Sequence, residues 1–150
     1  ITDRDLVCEQ LYIAANHPLR MSQEEIRFHG HAVEFRINAE DTEDGFRPDP
    51  GTIERFELPE AGEEGITVRW DSAIRQGYRI PPHYDSMIGK LIVHGPDRPR
   101  TLEGARRILE NLRVEGVKTT IPLHLAILGN DDFLSGVYDV DFLTRSGLIN

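Results

Sequence analysis

Polar and apolar side chains alternate in the segment from His31 to Glu40. Glu34, Arg36 and Asn38 are each separated by one apolar residue. In a β-strand, a period of two places these polar side chains on one face and the apolar ones on the other. An arginine held between two hydrogen-bonding neighbours suits the binding of an oxyanion, because guanidinium stays charged and presents a rigid fork of donors. The simpler interpretation is a solvated sheet face.

A second unusual segment runs from Pro81 to Leu91. Its stiff proline pair precedes Asp85 and a run of small residues, which lead into an apolar stretch. So many specialised residue types favour the wall of a binding site over an ordinary surface loop.

Other kinds of chemical site are not supported by the sequence. His29 and His31 share one side of the predicted strand. No third ligand is adjacent, whereas structural zinc needs four protein ligands and catalytic zinc usually has three, so no metal site is predicted. The sequence has neither G-x-x-x-x-G-K-[ST] nor G-x-G-x-x-G, the glycine-rich phosphate loops, and no G-x-S-x-G nucleophile elbow.

The composition bounds the classes of partner. The 150 residues suit one domain, and the formal net charge of -9 argues against nucleic acid. The single cysteine, Cys8, excludes an intrachain disulfide and fits a reducing compartment. No apolar run is long enough to span a bilayer, and the charged N-terminus does not resemble a signal peptide. We expect a cytoplasmic protein without a membrane partner.

Hydrophobic periodicity predicts the helices. The first is expected to begin with a capping box at Thr2 and Asp5 and to end near Asn16, just before a proline. The second is expected to begin at Thr101 and to be terminated by Gly116. Shorter helical pieces are predicted at 121–128, 132–134 and 139–145.

Strands are predicted at 28–40, 52–58, 66–70 and 87–94. Because strands and helices segregate along the sequence, an α+β domain with a mostly antiparallel sheet is expected. The apolar stripe of the second long helix should pack on this sheet. The predicted core comprises Val33, Phe35, Ile37, Ile88, Leu91 and Leu109.

Both unusual segments resemble signatures of one family. The segment 31–41, read H-A-V-E-F-R-I-N-A-E-D, is similar to the H-A-[IVF]-E-x-R-[IL]-x-A-E-[DN] signature of biotin carboxylases. The segment 84–91 is similar to their Y-D-[SP]-M-[IL]-[AG]-K-[LV] signature. The stretch 116–120 resembles G-[VI]-x-[TS]-N, with Thr120 in place of asparagine. The resemblance extends from the first helix to Gly147 and covers only the C-terminal domain of such enzymes.

The resemblance implies a role in the carboxylation of biotin on its carrier protein. In the full-length enzyme, ATP with Mg²⁺ activates bicarbonate, and biotin is carboxylated after its ureido nitrogen loses a proton. Arg36 corresponds to the catalytic, biotin-binding arginine that faces the charge developing on the ureido oxygen. The metal-binding and bicarbonate-binding residues of the family precede this domain. The isolated chain is therefore expected to be inactive and to bind no cofactor alone.

The resemblance also implies roles for four other residues. Asp85 corresponds to a residue that orients arginine side chains at the biotin site, and Val140 to a position that contacts the adenine of ATP. Arg69 and Ile66 match a dimer-interface stretch, so a homodimer is expected. For Arg69, an ordinary exposed strand arginine is the alternative.

Three broader alternatives remain open from the sequence. The holoenzyme is expected to be an acetyl-CoA carboxylase of fatty acid synthesis, but propionyl-CoA and pyruvate carboxylases share this domain. The chain could instead belong to another ATP-grasp ligase that lacks biotin. It could also be a non-catalytic module that dimerises or docks a carrier domain. If the chain belongs to an enzyme, the ATP-grasp domain of the same subunit is the expected neighbour.

Overall fold

A three-stranded antiparallel sheet organises the computed structural model, which describes residues 1–149. Its strand order is β1-β6-β5, with β1 at His31–Asn38, β5 at Thr67–Asp71 and β6 at Met87–Gly95. The central strand β6 pairs with β1 and β5 on its two sides. The α+β class and the antiparallel sheet predicted from the sequence are confirmed.

Helix α2 (Arg98–Asn111) packs on the apolar face of this sheet, against β1 and β6. The prediction that it begins at Thr101 and ends at Gly116 is wrong at both ends. Asp97 caps the helix by accepting a hydrogen bond from the backbone N–H of Arg100, and a proline lies in the first turn. Thr101 lies one turn inside the helix and is fully buried.

The chain leaves α2 in an extended conformation and forms a strand that the sequence did not predict. This strand, β7 (Arg113–Glu115), pairs with β4 (Arg55–Glu57) in a separate two-stranded sheet. A second small sheet joins β2 (Glu40–Asp41) to β3 (Arg47–Pro48). Strand β4 lies within the strand predicted at 52–58, whereas β3 and β7 are too short for a period of two to reveal them.

The remaining helices are short. The chain forms α1 (Leu6–Ala14), a 3₁₀ turn (Gln23–Glu25), α3 (Ile121–Leu128), α4 (Asp131–Ser135) and α5 (Phe142–Arg145). The predicted capping box of α1 is corrected: Asp5 is itself the N-cap and accepts from the backbone N–H of Cys8. No residue of α1 is buried, and its apolar side chains Leu6, Val7, Leu11 and Ile13 are at least half exposed.

The core lies between the sheet and α2. The predicted members Phe35, Ile37, Ile88, Leu91 and Leu109 are all buried. Val33 is only partly buried, at the rim of the core. Strand β1 therefore faces the core with the side that its alternation predicted. Within residues 1–149, no helix has the length and apolar character needed to cross a membrane.

Candidate biotin-carboxylation site on the open face of the sheet

The face of the sheet that points away from α2 carries the candidate site. The pairing register places Arg36 opposite Lys90, which in turn lies opposite Asp71. The next row joins Glu34, Ile92 and Arg69 in the same way. Directly opposed side chains are about 5 Å apart at Cβ, so these two rows form one continuous surface.

Cationic side chains outnumber carboxylates by one on this surface. It holds three cationic side chains and two carboxylates, whereas the whole chain has a formal net charge of -9. In a protein with a negative net charge, cationic side chains must be brought together to give a local excess of positive charge. The pairing register of the three strands brings Arg36, Lys90 and Arg69 onto one face. An anionic group approaching here would meet guanidinium and ammonium donors together.

The guanidinium of Arg36 projects from the open face. Its side chain is 69% exposed, and its Nε lies 3.5 Å from Oε1 of Glu34 on the same strand. One carboxylate at this distance orients the arginine yet leaves its remaining N–H donors free for a ligand. The predicted pairing of Arg36 with polar neighbours on one strand face is therefore confirmed.

Two parts of the surroundings of Arg36 were missed by sequence reasoning. Lys90 lies in the second signature and alternates with buried residues along β6, so its period of two was the available signal. The backbone carbonyl of Arg36 accepts hydrogen bonds from Thr120 and His124 at the start of α3. These residues follow Arg36 by more than 80 positions, and no local pattern in the sequence links them.

Asp85 lies two residues before β6 and has no described contact with Arg36. Its Oδ1 accepts a 2.7 Å hydrogen bond from the backbone N–H of Met87, which pairs with Asn38. Asp85 therefore shapes the entry into β6 beside the site. The described ionic partner of Arg36 is Glu34, so an arginine-orienting role for Asp85 stays a prediction.

The two predicted dimer residues lie on different sides of the sheet. Arg69 is on the open face, 70% exposed, and forms an ion pair with Asp71 at 2.9 Å. Ile66, in contrast, is only 4% exposed and packs beneath α2, against Gly95 and Gly104. The Ile66 side chain is therefore part of this chain's own core, and a place for Ile66 in a dimer interface stays a prediction.

Val140 lies in the turn before α5, and its side chain is 100% exposed. The neighbouring Phe133, Tyr138 and Phe142 form an aromatic cluster, with Phe133 and Tyr138 stacked at 5.1 Å between ring centroids. This cluster adjoins the N-terminus of α2, where Arg98 donates to the carbonyl of Phe133. No described contact links Val140 with the side chain of Arg36.

The histidines near the start of β1 do not form a metal centre in the described part of the chain. His29 lies 3.8 Å from Asp3, and its backbone carbonyl bonds with the ring of His94. Within residues 1–149, no group of three or more His, Cys, Asp or Glu side chains is placed to hold a metal ion.

An ion pair fixes the turn that leads into α3. Nζ of Lys118 lies 2.6 Å from Oδ2 of Asp41, whose side chain is 11% exposed. The backbone N–H of Lys118 also donates to Asp49, so the loop after β1 is joined to the turn before Thr120. The Lys118 ammonium lowers the pKa of Asp41, and that carboxylate raises the pKa of Lys118.

Replacing Lys118 with methionine is expected to lower the free energy of unfolding at pH 7. A carboxyl with a depressed folded-state pKa contributes stability above its unfolded pKa, and this is lost as pH falls through the folded value. The difference between the variant and the parent should therefore narrow below about pH 4, near the unfolded pKa of aspartate. Denaturant-induced unfolding of the variant and the parent at several pH values measures this difference in the free energy of unfolding.

Arg106→Met is the matched control, because Arg106 forms an exposed ion pair with Glu110 on α2, away from Asp41. Exposed pairs contribute little to stability, so this variant should follow the parent at every pH. Equal effects of the two substitutions would contradict a special role for the Lys118–Asp41 pair.

Comparison with known families decides the identity of the fold. The sequence model of the biotin carboxylase C-terminal domain matches residues 34–145, more than half of the chain. The chain belongs to the biotin carboxylase C-terminal domain family. The family resemblance drawn from the two signatures is thereby confirmed, and both signatures lie on strands that build the open face.

Individual relatives support the assignment along nearly the whole domain. The chain is 44% identical over 145 residues to a biotin carboxylase of Haemophilus influenzae, which covers 97% of this chain and 31% of that protein. It is 46% identical over 143 residues to a pyruvate carboxylase subunit of Methanothermobacter thermautotrophicus, and the match covers 95% of this chain and 28% of that subunit. This biotin carboxylase C-terminal domain thus spans about a third of these relatives.

The fold is also that of solved biotin carboxylases. One is the biotin carboxylase domain dimer of the Hydrogenobacter thermophilus 2-oxoglutarate carboxylase, in complex with MgADP, ADP and bicarbonate. The match has a TM-score of 0.88 at 46% identity and covers 98% of this chain and 32% of that one. The biotin carboxylase subunit of pyruvate carboxylase matches with a TM-score of 0.89 at 41% identity, and the match covers 98% of this chain and 32% of that subunit.

Proposed function

We propose that this domain completes the active site of an ATP- and bicarbonate-dependent biotin carboxylase, and that Arg36 is its catalytic residue. The observation that carries the proposal is the exposed guanidinium of Arg36 within a locally cationic sheet face. The ureido oxygen of biotin becomes an oxyanion when biotin loses its N–H proton, and these donors fit it. The decisive measurement is biotin carboxylation by a full-length protein carrying an Arg36 substitution.

Arg36 would act by stabilising charge. When carrier-bound biotin loses the proton of its ureido nitrogen, negative charge develops on the ureido oxygen. A guanidinium held there in advance lowers the barrier without needing to reorganise. Glu34 restrains the Arg36 side chain, and Lys90, in the opposite position on β6, adds positive potential. Asp85 is proposed to shape the biotin-facing end of the same surface.

The nucleotide is proposed to bind between this domain and an ATP-grasp domain of the same subunit. The fully exposed Val140 supplies an apolar surface for the adenine of ATP. The relatives are about three times longer than this chain, so their proteins contain further structure to face it. The unburied apolar side chains of α1 support a covering by that structure, since exposed apolar patches mark interfaces. Mg²⁺ would bind with the nucleotide and not at residues of this domain.

A homodimer is proposed with Arg69 in its interface. The solved relative described above is a dimer. Arg69 lies on the same open face as Arg36, two strands away and one row along, which is about 12 Å for interstrand spacings of about 4.8 Å. Ile66 belongs to the same proposed interface segment, although its side chain is buried in this chain's core.

We expect the isolated 150-residue chain to neither hydrolyse ATP nor carboxylate free biotin. The reason is that it spans about a third of its relatives, and the described residues offer one wall of a site only. Two assays of the purified chain measure this: bicarbonate-dependent release of phosphate, and carboxylation of free biotin with Arg36→Gln as the matched control. Phosphate release that persists through repeated purification, or biotin carboxylation that Arg36→Gln abolishes, would contradict the expectation.

The acyl acceptor is proposed to be acetyl-CoA, and the compartment the cytoplasm. Relatives named simply biotin carboxylase, from Haemophilus influenzae and Bacillus subtilis, support this proposal. Pyruvate is the second candidate, because the pyruvate carboxylase subunit of Methanothermobacter thermautotrophicus is as similar as these proteins. Carboxylation assays that supply the cognate carboxyltransferase with acetyl-CoA, propionyl-CoA or pyruvate separate the candidates.

A further inference from the structure

Strand β1, which carries Arg36, is the outermost strand of its sheet and pairs with another strand, β6, on one side only. On the other side, the turn before α3 closes this edge over two residues. The backbone N–H of Thr120 donates to the carbonyl of Asn38 at 3.1 Å, and the N–H of Asn38 donates to Oγ1 of Thr120 at 3.0 Å.

The carbonyl of Arg36 is held by two side chains. Oγ1 of Thr120 donates to it at 3.2 Å, and Nε2 of His124 lies 2.9 Å from the same oxygen. A carbonyl oxygen only accepts, so His124 must carry its proton on Nε2. Burial lowers the pKa of His124, which favours this neutral form, although the bond to Arg36 opposes the shift.

The imidazole of His124 is held by its hydrogen bond to Arg36 and by packing against an aromatic ring. Its ring packs edge-to-face on Phe35, with centroids 5.4 Å apart, and Phe35 is buried in the core. Thr120 is also buried, at 5% exposed. His124 and Thr120, which donate to the carbonyl of Arg36, are thus held by packing, whereas the Arg36 side chain itself is exposed. Besides the Glu34 carboxylate, the backbone directs this side chain, because the positions of Cα and Cβ set where its torsions begin.

We infer that His124 and Thr120 are positioning residues for Arg36: they fix its backbone at the edge of the sheet and thereby direct its guanidinium. This inference rests on the proposed catalytic role of Arg36. Nothing in the two signatures includes either residue, and the family pattern has asparagine where Thr120 stands. A small displacement of a catalytic group is sufficient to reduce turnover strongly.

The test uses a full-length protein that carries this domain. His124→Ala is expected to lower the kcat of biotin-dependent turnover about tenfold, the typical effect of one lost hydrogen bond near the chemistry. Bicarbonate-dependent ATP cleavage without biotin should stay within about twofold, since Arg36 acts only on biotin. His124→Gln keeps an N–H donor and should recover most of the loss. Thr120→Val replaces the hydroxyl with a methyl group, which removes its hydrogen bonds with both Arg36 and Asn38, and should reproduce the selective defect.

Leu125→Ala is the matched control on the same helix, because Leu125 packs against the core without contacting Arg36. It should lower the melting temperature and leave the ratio of the two rates unchanged. If His124→Ala behaves like this control, or His124→Gln is no better than alanine, the positioning role is refuted.

Arg36→Gln in the same assay separates the catalytic role of Arg36 from the positioning role of His124 and Thr120. An unimpaired Arg36→Gln would refute the proposed function, whereas its failure beside a normal His124→Ala would refute the positioning alone.

Discussion

Replacing Arg36 with glutamine in a full-length protein that carries this domain is expected to lower biotin-dependent turnover about 100- to 1000-fold, the typical cost of losing one oxyanion donor. Glutamine retains the length and hydrogen bonding of the side chain in part but removes its charge. The loss should appear in kcat, because the charge on the ureido oxygen develops only in the transition state. ATP cleavage that does not require biotin should change little.

The fold should survive this substitution. The Arg36 side chain is 69% exposed and contributes a weak surface ion pair with Glu34, so its removal costs little stability. Arg106→Gln is the matched control, because Arg106 is 55% exposed and forms an ion pair with Glu110 on α2, outside the candidate site. It should leave both activities and the melting temperature unchanged. Equal losses in both activities of Arg36→Gln, together with a lower melting point, would show that Arg36 has a structural role only.

The second large effect is expected at Gly89, in the centre of the sheet. Gly89 pairs with Ile37 and is buried, and a Cβ added there would overlap the six-membered ring of Trp70, with Cε2 at 2.9 Å. The indole cannot move freely, because it packs on Phe56 with 5.6 Å between ring centroids. Gly89→Ala is therefore expected to destabilise the chain by about 2 kcal/mol, as overpacking typically does.

The direction of this effect is opposite to what alanine usually does in a strand. A glycine-to-alanine change normally stabilises by about 0.5–1 kcal/mol through the unfolded chain. Gly129→Ala is the control, because its Cβ would meet its nearest neighbours at an ordinary 3.5 Å. In thermal melts, Gly89→Ala should lower the melting temperature by about 4–8 °C, whereas the control should not. Trp70→Phe should reduce the cost of Gly89→Ala; an unchanged cost would contradict steric conflict as its cause.

The sequence by itself determined the strand that carries Arg36, the face on which Arg36 lies, and the family. These features are local: a period of two assigns the sides of a strand, and the signatures are contiguous segments. Helix boundaries were less well determined. Asp97 and Thr101 both suit an N-cap, and the choice between them depends on where the chain leaves β6.

Only the tertiary structure decided which residues surround Arg36. Lys90 and Arg69 join its face through the register of three strands, and Thr120 and His124 reach its carbonyl from a distant helix. The alternation along 66–70 puts Ile66 on the apolar side of its strand, but only the folding placed it beneath α2. Alternation specifies which side of a strand is apolar, but not which neighbour pairs with it or which helix closes its edge. Those choices are made when the core packs, because only one register and one helix position fill it.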